Sequence, residues 1–216
     1  MEKTLPVWGD ISKNERELLL KNAIDRHFST GTVMETGEDR CLGLMLILRG
    51  ELRLYMMSEE GREVTLLRLH SGDLSVISAA CVLKRLYMDA LIVAEADTEV
   101  KMVPLPTLNR LMEENIHLRC YLYELMMQHL SEALGAVEQV VFQPFCRRLS
   151  GFLIAECQRT GADTVYLTHE QIAKYLGSAR EVVARMMKRF AAAGLVEMRR
   201  GSVRVLDADG LLHFEK

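Results

Sequence analysis

The chain has 216 residues, 49% of them hydrophobic, and a formal net charge of −3. This length and composition suit one or two globular units, and no stretch of about 18 apolar residues or signal-peptide pattern appears. The mean charge alone suggests no polyanionic partner, but residues 142–216 carry 12 Lys/Arg against 8 Asp/Glu, whereas residues 1–141 carry 15 against 22. We therefore expect a cytoplasmic protein, with no membrane partner, whose basic C-terminal end meets a polyanion.

The first half of the chain has the pattern of a β-domain that follows a short helical segment. Residues 10–28 show helical polar–apolar spacing, and the pattern changes at Gly31. From there to about Leu105, glycines separate short apolar runs such as LMLIL, ELRLYMM and EVTLLRL, and Pro104 and Pro106 close the section. Strands and turns at this density predict a β-sandwich or β-roll.

A long helix with a heptad repeat is predicted next, because no glycine or proline lies between Thr107 and Leu134. Spacings of 4 and 3 alternate along an apolar seam, as in a coiled coil. The seam comprises Ile116, Cys120, Tyr123, Met127, Leu130, Leu134, Val137 and Val141. It predicts a parallel homodimer. The alternative is a helix packed on its own β-domain, for which Leu118, Leu122 and Leu125 provide a second face, so both arrangements can hold together.

A new helix is predicted after Pro144, over CRRLSGFLIAECQRTG, with its end at Gly161. The domain boundary is therefore expected near residues 141–144. We predict three parts: a sensing β-domain over residues 1–106, a dimerisation helix over 107–141 and a C-terminal domain over 142–216.

Two helix-start signals stand ten residues apart in LTHEQIAKYLGSAREVVARMMKRF. Thr168 and Ser178 are each followed three residues later by Gln or Glu, which is the capping-box pattern. The first helix is predicted over residues 169–176, and Gly177 can adopt the left-handed turn that follows it. The second helix is predicted to begin at Ala179.

The second helix has one apolar and one polar face. Its predicted buried positions are Val183, Met186, Met187 and Phe190. The opposite face holds Glu181, Ala184, Arg185 and Lys188, with Arg180 at its flank. Two helices joined by so tight a turn form a helix-turn-helix, whose second helix enters the DNA major groove. There arginine pairs with guanine and glutamate accepts from cytosine. The structural alternative is that Glu181 only caps the helix and Arg185 only pairs with Glu181.

A β-hairpin is predicted over LVEMRRGSVRVL, with Gly201 and Ser202 at its two-residue turn. Val196, Met198, Val203 and Val205 occupy its alternate positions. Such a hairpin is the wing of a winged helix, and its arginines suit DNA phosphates. The predicted contacts with the DNA backbone are Thr168, Ser178, Lys188, Arg199, Arg200 and Arg204.

The segment THEQIAKYLGSAREVVARMMKRFAAAGLVEMRRGSVRV resembles the C-terminal winged helix of the cyclic-AMP receptor / fumarate-nitrate reduction regulator (CRP/FNR) family. The order of β-domain, long helix and basic end extends the resemblance over nearly the whole chain. It implies an α+β fold with an N-terminal double-stranded β-helix, a β-roll of the cyclic-nucleotide-binding kind. It also implies a homodimeric transcription regulator, not an enzyme, that binds double-stranded DNA at a pseudo-palindromic operator and works with RNA polymerase.

By this resemblance Arg180, Glu181 and Arg185 match the base-reading positions of the family. Arg180 together with Ala184 is similar to the branch that recognises TGTGA-type half-sites. The resemblance further implies that an effector in the β-roll shifts the long helix and so controls the spacing of the two DNA-reading helices.

The candidate effector pocket comprises Asp73, Ser78, Cys81, Arg85, Met88, Asp89 and Tyr123. Cyclic-nucleotide-binding members carry an Arg-Ser or Arg-Thr pair that binds the cyclic phosphate. Counting back from Glu99 and Val100 places Met88 and Asp89 at that pair. An aspartate there would repel a phosphate, which argues against cyclic AMP. Arg85 is displaced by three residues, which favours a surface role.

The identity of the effector or cofactor stays open at this point. Cysteines at 41, 81, 120, 146 and 157 form no CxxC pair, which favours reduced thiols. An iron–sulfur cluster of the fumarate-nitrate kind would need cysteines nearer the N-terminus. Haem, as in gas-sensing family members, remains an alternative, with Cys81, His70 and His117 as candidate ligands, although ordinary packing explains each of them. Cys120 on the seam could form a redox-sensitive disulfide with its twin, against the simpler role of a packed thiol.

Two other classes of function compete with a DNA-binding regulator. A cupin-type metal enzyme needs several histidines and a carboxylate on the roll. Between residues 29 and 105 the only histidine is His70, so no metal site is predicted. The other competitor is a winged helix that binds protein, for which affinity need not fall steeply with salt.

Overall fold

A computed structural model describes residues 4–35, 43–59, 61, 63–77 and 90–214 of the chain. The chain forms two compact units, Met1–Met56 with Leu66–Leu134, and Met57–Thr65 with Gly135–Lys216. Of the predicted effector-pocket residues, Ser78, Cys81, Arg85, Met88 and Asp89 lie outside the described residues. No helix in the described ranges is long and apolar enough to cross a membrane.

The N-terminal segment is helical over only half of the predicted range. A 3-10 turn (Pro6–Asp10) precedes helix α1 (Lys13–Asn22), whose N-terminus carries a capping box between Ser12 and Glu15. Strand β1 (Ile24–Phe28) follows directly. The helical prediction is therefore wrong for residues 24–28, because their backbone pairs with residues 98–102, from Ile24↔Met102 to Phe28↔Thr98.

After β1, the described strands of the β-roll are β2 (Val33–Glu35), β3 (Gly43–Arg49), β4 (Glu51–Met57), β5 (Glu63–His70), β6 (Leu74–Ile77), β7 (Ala90–Ala94) and β8 (Thr98–Val103). These described strands form two four-stranded sheets, in the orders β1-β8-β3-β6 and β2-β7-β4-β5. The paired strands with a defined register run antiparallel. The predicted roll and the glycine-separated strands are confirmed.

Strand β3 is buried on both faces from Gly43 to Ile47, which explains the continuous apolar sequence of this part. Met45 and Ile47 pack between the two sheets, together with residues such as Leu52, Ile92 and Val100. Leu44 and Leu46, which point to the other side, form a second core with the helices that follow the roll. Alternate side chains of one strand therefore hold two cores together.

The helical segment after the roll contains a break that the sequence pattern did not predict. Helix α2 (Leu105–Glu114) ends at Asn115, and helix α3 runs from Ile116 to Phe142. Asn115 donates from Nδ2 to the carbonyl of Asp10 and accepts from the backbone N–H of Leu118, each over 3.0 Å. The range 107–141 is thus two helices, and α3 continues through Gly135.

Helix α3 has the two faces that the sequence predicts. Leu118, Leu122 and Met126 are buried in the second core, and Leu125 packs against it. The heptad seam lies on the other side, where Ile116, Tyr123, Met127, Leu134 and Val141 are between 45% and 62% exposed. Leu130 is half-buried.

The C-terminal unit folds around one apolar core that includes Leu149, Leu153, Ile172, Val183 and Phe190. Its elements are α4 (Phe145–Thr160), β9 (Thr164–Val165), α5 (His169–Leu176), α6 (Arg180–Ala192), β10 (Val196–Arg199), β11 (Ser202–Val205) and α7 (Ala208–Leu212). Helix α4 begins after Pro144 and ends at Gly161, as predicted. Strands β10, β11 and β9 form a small antiparallel sheet in that order.

Candidate nucleic-acid interface

Helix α5 has the boundaries that its sequence predicts. The Thr168 hydroxyl accepts from the backbone N–H of Gln171 over 3.2 Å, and Gln171 Oε1 accepts from the backbone N–H of Thr168 over 2.9 Å. At the other end Gly177 adopts φ +58° and ψ +49°. The capping box and the left-handed glycine therefore fix the length and exit direction of α5.

The second predicted capping box does not form. The N-cap of α6 is Ala179, which makes no side-chain capping bond. The backbone N–H of Ser178 instead donates to the carbonyl of Ala173 over 2.9 Å, which ties Ser178 to the end of α5. The N-cap consequently falls one residue later, and Glu181 has no capping partner.

Helix α6 buries one face and exposes the other. Val183, Met187 and Phe190 are fully buried and Met186 nearly so, whereas Arg180, Glu181, Arg185 and Lys188 are exposed and Ala184 is half-buried. Among the described residues, none of these four charged side chains has a hydrogen bond or ion pair. The polar face is therefore both held outward by packing and available to a partner.

The wing forms, with its turn one residue earlier than predicted. Val196 pairs with Val205, and Arg199 pairs with Ser202, so the turn residues are Arg200 and Gly201. Gly201 adopts φ +75°. A two-residue hairpin of this kind requires a positive φ, which glycine adopts most readily, so the turn is placed with Gly201 second.

Two of the three wing arginines are already ion-paired. Arg199 lies 3.1 Å from Glu197 Oε2, and Arg204 Nε lies 2.8 Å from Asp163 Oδ2. Hydrogen bonds from Thr164 and then from Arg204 lower the pKa of Asp163. The exposed Arg200 at the turn makes no such pair with a described residue. Sequence reasoning missed both pairs.

A cleft of about 330 Å3 lies between the wing and the helix pair. It is lined by residues 167–170 at the start of α5, by Arg180, and by Arg199 with residues 201–203 of the wing. It brings together Thr168, Arg180 and Arg199 from the predicted interface, but not Ser178, Glu181, Arg185, Lys188, Arg200 or Arg204. Half-buried His169, which sequence reasoning missed, also lines it. The sequence signal that could have identified His169 is its position directly after Thr168, the predicted N-cap of α5.

Asp73 and Tyr123 are the predicted effector-pocket residues that the structure describes. Asp73 Oδ2 accepts from the backbone N–H of His70 over 2.7 Å in the turn between β5 and β6. Tyr123 lies on the exposed face of α3. Sequence reasoning missed His129, whose Nδ1 lies 3.4 Å from the hydroxyl of buried Ser75. Burial lowers the pKa of His129.

The haem and thiol candidates that the structure describes are His70, His117, Cys120, Cys146 and Cys157. His70 Nδ1 is 3.6 Å from Glu51 Oε2, and His117 is exposed at the start of α3. Within the described ranges, no group of three or more His, Cys, Asp or Glu side chains could hold a metal ion. Cys120 is an exposed thiol, Cys146 a buried one and Cys157 a half-buried one.

Comparison with known proteins identifies both halves of the chain. Residues 25–115 match a model described as a cyclic nucleotide-binding domain, and residues 147–214 match a Crp-like helix-turn-helix domain. A solved structure from Eubacterium rectale, assigned to the Crp/Fnr family of transcriptional regulators, is 35% identical, with a TM-score of 0.88 over 97% of each chain. The chain belongs to the Crp/Fnr family.

Two curated relatives, both transcriptional regulators, agree with this assignment. The transcriptional regulator SdrP of Thermus thermophilus is 28% identical over 76% of this chain and 80% of its own length. The cAMP-activated global transcriptional regulator Vfr of Pseudomonas aeruginosa is 24% identical over 81% and 85% respectively. The protein is therefore a transcription regulator with a cyclic-nucleotide-binding type of β-roll and a helix-turn-helix DNA-binding domain. The Crp/Fnr family is one of regulators, not of enzymes.

Proposed function

We propose that the protein is a homodimer that binds a pseudo-palindromic DNA operator and reads its bases through Arg180, Glu181 and Arg185. The observation that carries this proposal is the arrangement of α6, which buries one face in the C-terminal core and exposes these three side chains. Arginine can donate two hydrogen bonds to guanine in the major groove, and glutamate can accept one from cytosine. No described residue forms a hydrogen bond or an ion pair with these three side chains.

The dimer would form through the exposed seam of α3, and its occupant would be a second copy of the same helix. Five large apolar side chains of the seam are at least 45% exposed and recur at heptad spacing, while Leu118, Leu122 and Met126 on the opposite face are buried in the core. A regular heptad seam is best covered by an identical seam. Two copies of α6 related by a twofold axis would then enter successive major grooves, about 34 Å apart.

Control would come from an effector bound by the β-roll. A domain match over residues 25–115 supports this role, although the sequence places Met88 and Asp89 where a cyclic phosphate needs Arg and Ser. An aspartate at that place would repel a phosphate, which favours an effector other than cyclic AMP. We place the protein in the cytoplasm, where such an operator and RNA polymerase would be met.

Thiol-based redox control is the second candidate, because Cys120 is exposed on the predicted dimer seam. An absorbance spectrum of freshly purified protein separates the classes of sensor. A Soret band indicates haem, a broad visible shoulder indicates an iron–sulfur cluster, and a featureless spectrum leaves organic effectors and thiol chemistry.

A salt titration of DNA binding tests the proposed function. Fluorescence anisotropy with a labelled duplex should show the logarithm of the association constant falling linearly with the logarithm of salt concentration, by about 0.9 per phosphate contacted. Size measurement of the complex should show two chains on one duplex. A protein that binds no duplex at low salt, or shows no salt dependence, contradicts the proposal and favours a protein-binding winged helix.

A further inference from the structure

The cleft between the wing and the helix pair places one histidine beside one arginine that is unpaired among the described residues. The charged groups that line it with His169 are Glu170 on α5, Arg180 on α6 and Arg199 on β10. Arg180 makes no ion pair with a described residue, whereas Arg199 is paired with Glu197. Hydroxyl groups of Thr168 and Ser202 also line the cleft. The Thr168 hydroxyl already donates to Gln171 Oε1 over 2.9 Å, so the groups left for a small oxyanion are the Ser202 hydroxyl, His169 and the positive charge of Arg180. The volume of about 330 Å3 can hold a phosphodiester group.

The surroundings of His169 in the free protein disfavour its protonated form. Burial, and then the positive charge of Arg180, lower the pKa of His169. The ring is therefore neutral at neutral pH, and it can still accept a proton when its environment changes. A phosphate in the cleft would place a negative charge among these groups, which favours the imidazolium form.

We propose that this cleft binds one backbone phosphate of the operator and that His169 takes up a proton as the phosphate enters. The inference rests on the proposed DNA-binding function and adds a residue and a form of control to it. In thermodynamic terms, the pKa of His169 is higher in the complex than in the free protein. DNA affinity therefore rises as the pH falls through the interval between those two values, and it is constant on either side. Each His169 engaged contributes at most about a tenfold change per pH unit.

Three variants separate this role from simple packing. His169→Gln keeps a polar side chain but cannot titrate, so its affinity should match that of the wild type at about pH 8.5 and should not rise toward about pH 5.5 as the wild-type affinity does. His169→Arg carries a permanent charge and should bind tightly at both values. His213→Gln is the matched control, since His213 is an exposed histidine of the same unit outside the cleft and should keep the wild-type pH response.

The measurement is anisotropy at constant ionic strength, with a duplex selected by the protein from a randomised library and with a scrambled duplex. A pH response that is lost in His169→Gln, with affinity restored at high pH in His169→Arg, supports the proposal. An unchanged pH response in His169→Gln, with operator preference intact, overturns the proposal and leaves the DNA-binding function standing. If the wild-type protein binds no duplex at all, both this proposal and the proposed DNA-binding function are overturned.

Discussion

Arg204 donates from Nε to the carboxylate of Asp163 over 2.8 Å, which joins the second wing strand to the residue immediately before β9. The pair lies on the surface, where both side chains are about half exposed. A wing arginine predicted to contact DNA is therefore held by a carboxylate in the free protein. A DNA phosphate must compete with that carboxylate for the same guanidinium group.

Removal of the carboxylate should strengthen DNA binding. In Asp163→Asn, Arg204 is released and one negative charge near the duplex is lost, so affinity for DNA of any sequence should rise. The slope of log affinity against log salt should become steeper by about 0.9, the value for one additional phosphate contact. Asp209→Asn, with the same charge change on α7, is the control and should keep the wild-type slope. Equal slopes for the two variants would show that the pair with Asp163 does not keep Arg204 from a phosphate.

Thr168 and Ser178 should differ in their contributions to stability. Thr168→Ala removes the capping bond to Gln171 and should lower the free energy of unfolding by about 1 kcal/mol. Ser178→Ala is the matched control, because Ser178 is not the N-cap of α6 and should contribute little. Denaturation followed by circular dichroism measures both. If Ser178→Ala lowers the free energy of unfolding as much as Thr168→Ala does, Ser178 caps α6 after all, and the absence of the second capping box is contradicted.

Stability should fall in mild acid because of His129. Burial lowers the pKa of this histidine, so the folded state favours the neutral ring and the unfolded chain takes up its proton at a higher pH. The stability that the neutral ring contributes is present above the ordinary histidine pKa and is lost as the pH falls below it. The melting temperature of the wild type should drop by a few degrees more than that of His129→Gln between about pH 7.5 and about pH 5.5.

The control for this experiment is His117→Gln, since His117 is exposed on the same helix. Its melting temperature should follow that of the wild type at both pH values. If His129→Gln loses as much stability in acid as the wild type, the acid sensitivity arises elsewhere in the chain.

A charge on the seam of α3 should dissociate the dimer. Met127→Glu places a carboxylate on each of two facing helices, and the cost of burying both should raise the dimer dissociation constant by at least about a hundredfold. Gln128→Glu adds the same charge one position away, outside the seam, and should leave the dimer intact. Sedimentation equilibrium measures both constants. Equal behaviour of the two variants would mean that the seam is not the dimer interface.

The features that could be predicted from the sequence are those fixed by residues close together in the chain. Helix α5 was placed residue by residue because its cap, Thr168 with Gln171, and its terminating Gly177 are all within ten residues. The outward face of α6 followed from helical spacing alone. The β-roll followed from its regularly placed glycines.

The features that sequence reasoning missed depend on partners far along the chain. The break at Asn115 is held by a bond to Asp10, which is 105 positions away, and Arg204 meets Asp163 over 41 positions. Polar strand β1 exists because β8 pairs with it. The N-cap of α6 lies one residue later than predicted because the backbone N–H of Ser178 bonds to Ala173. The wing turn lies one residue earlier than predicted because Gly201 adopts the positive φ that the turn requires.

The most direct test of DNA reading by α6 is selection of duplexes from a randomised library by the wild type, Arg185→Ala and Arg200→Ala. The wild type should enrich an inverted repeat with half-site centres about 10 base pairs apart. Arg185→Ala should lose about 1–3 kcal/mol of discrimination at one base pair of each half-site, whereas Arg200→Ala, a wing variant, should weaken binding without changing the preferred sequence. Absence of any enriched repeat, or an Arg185→Ala variant with the wild-type preference at every position, would contradict base reading by this helix.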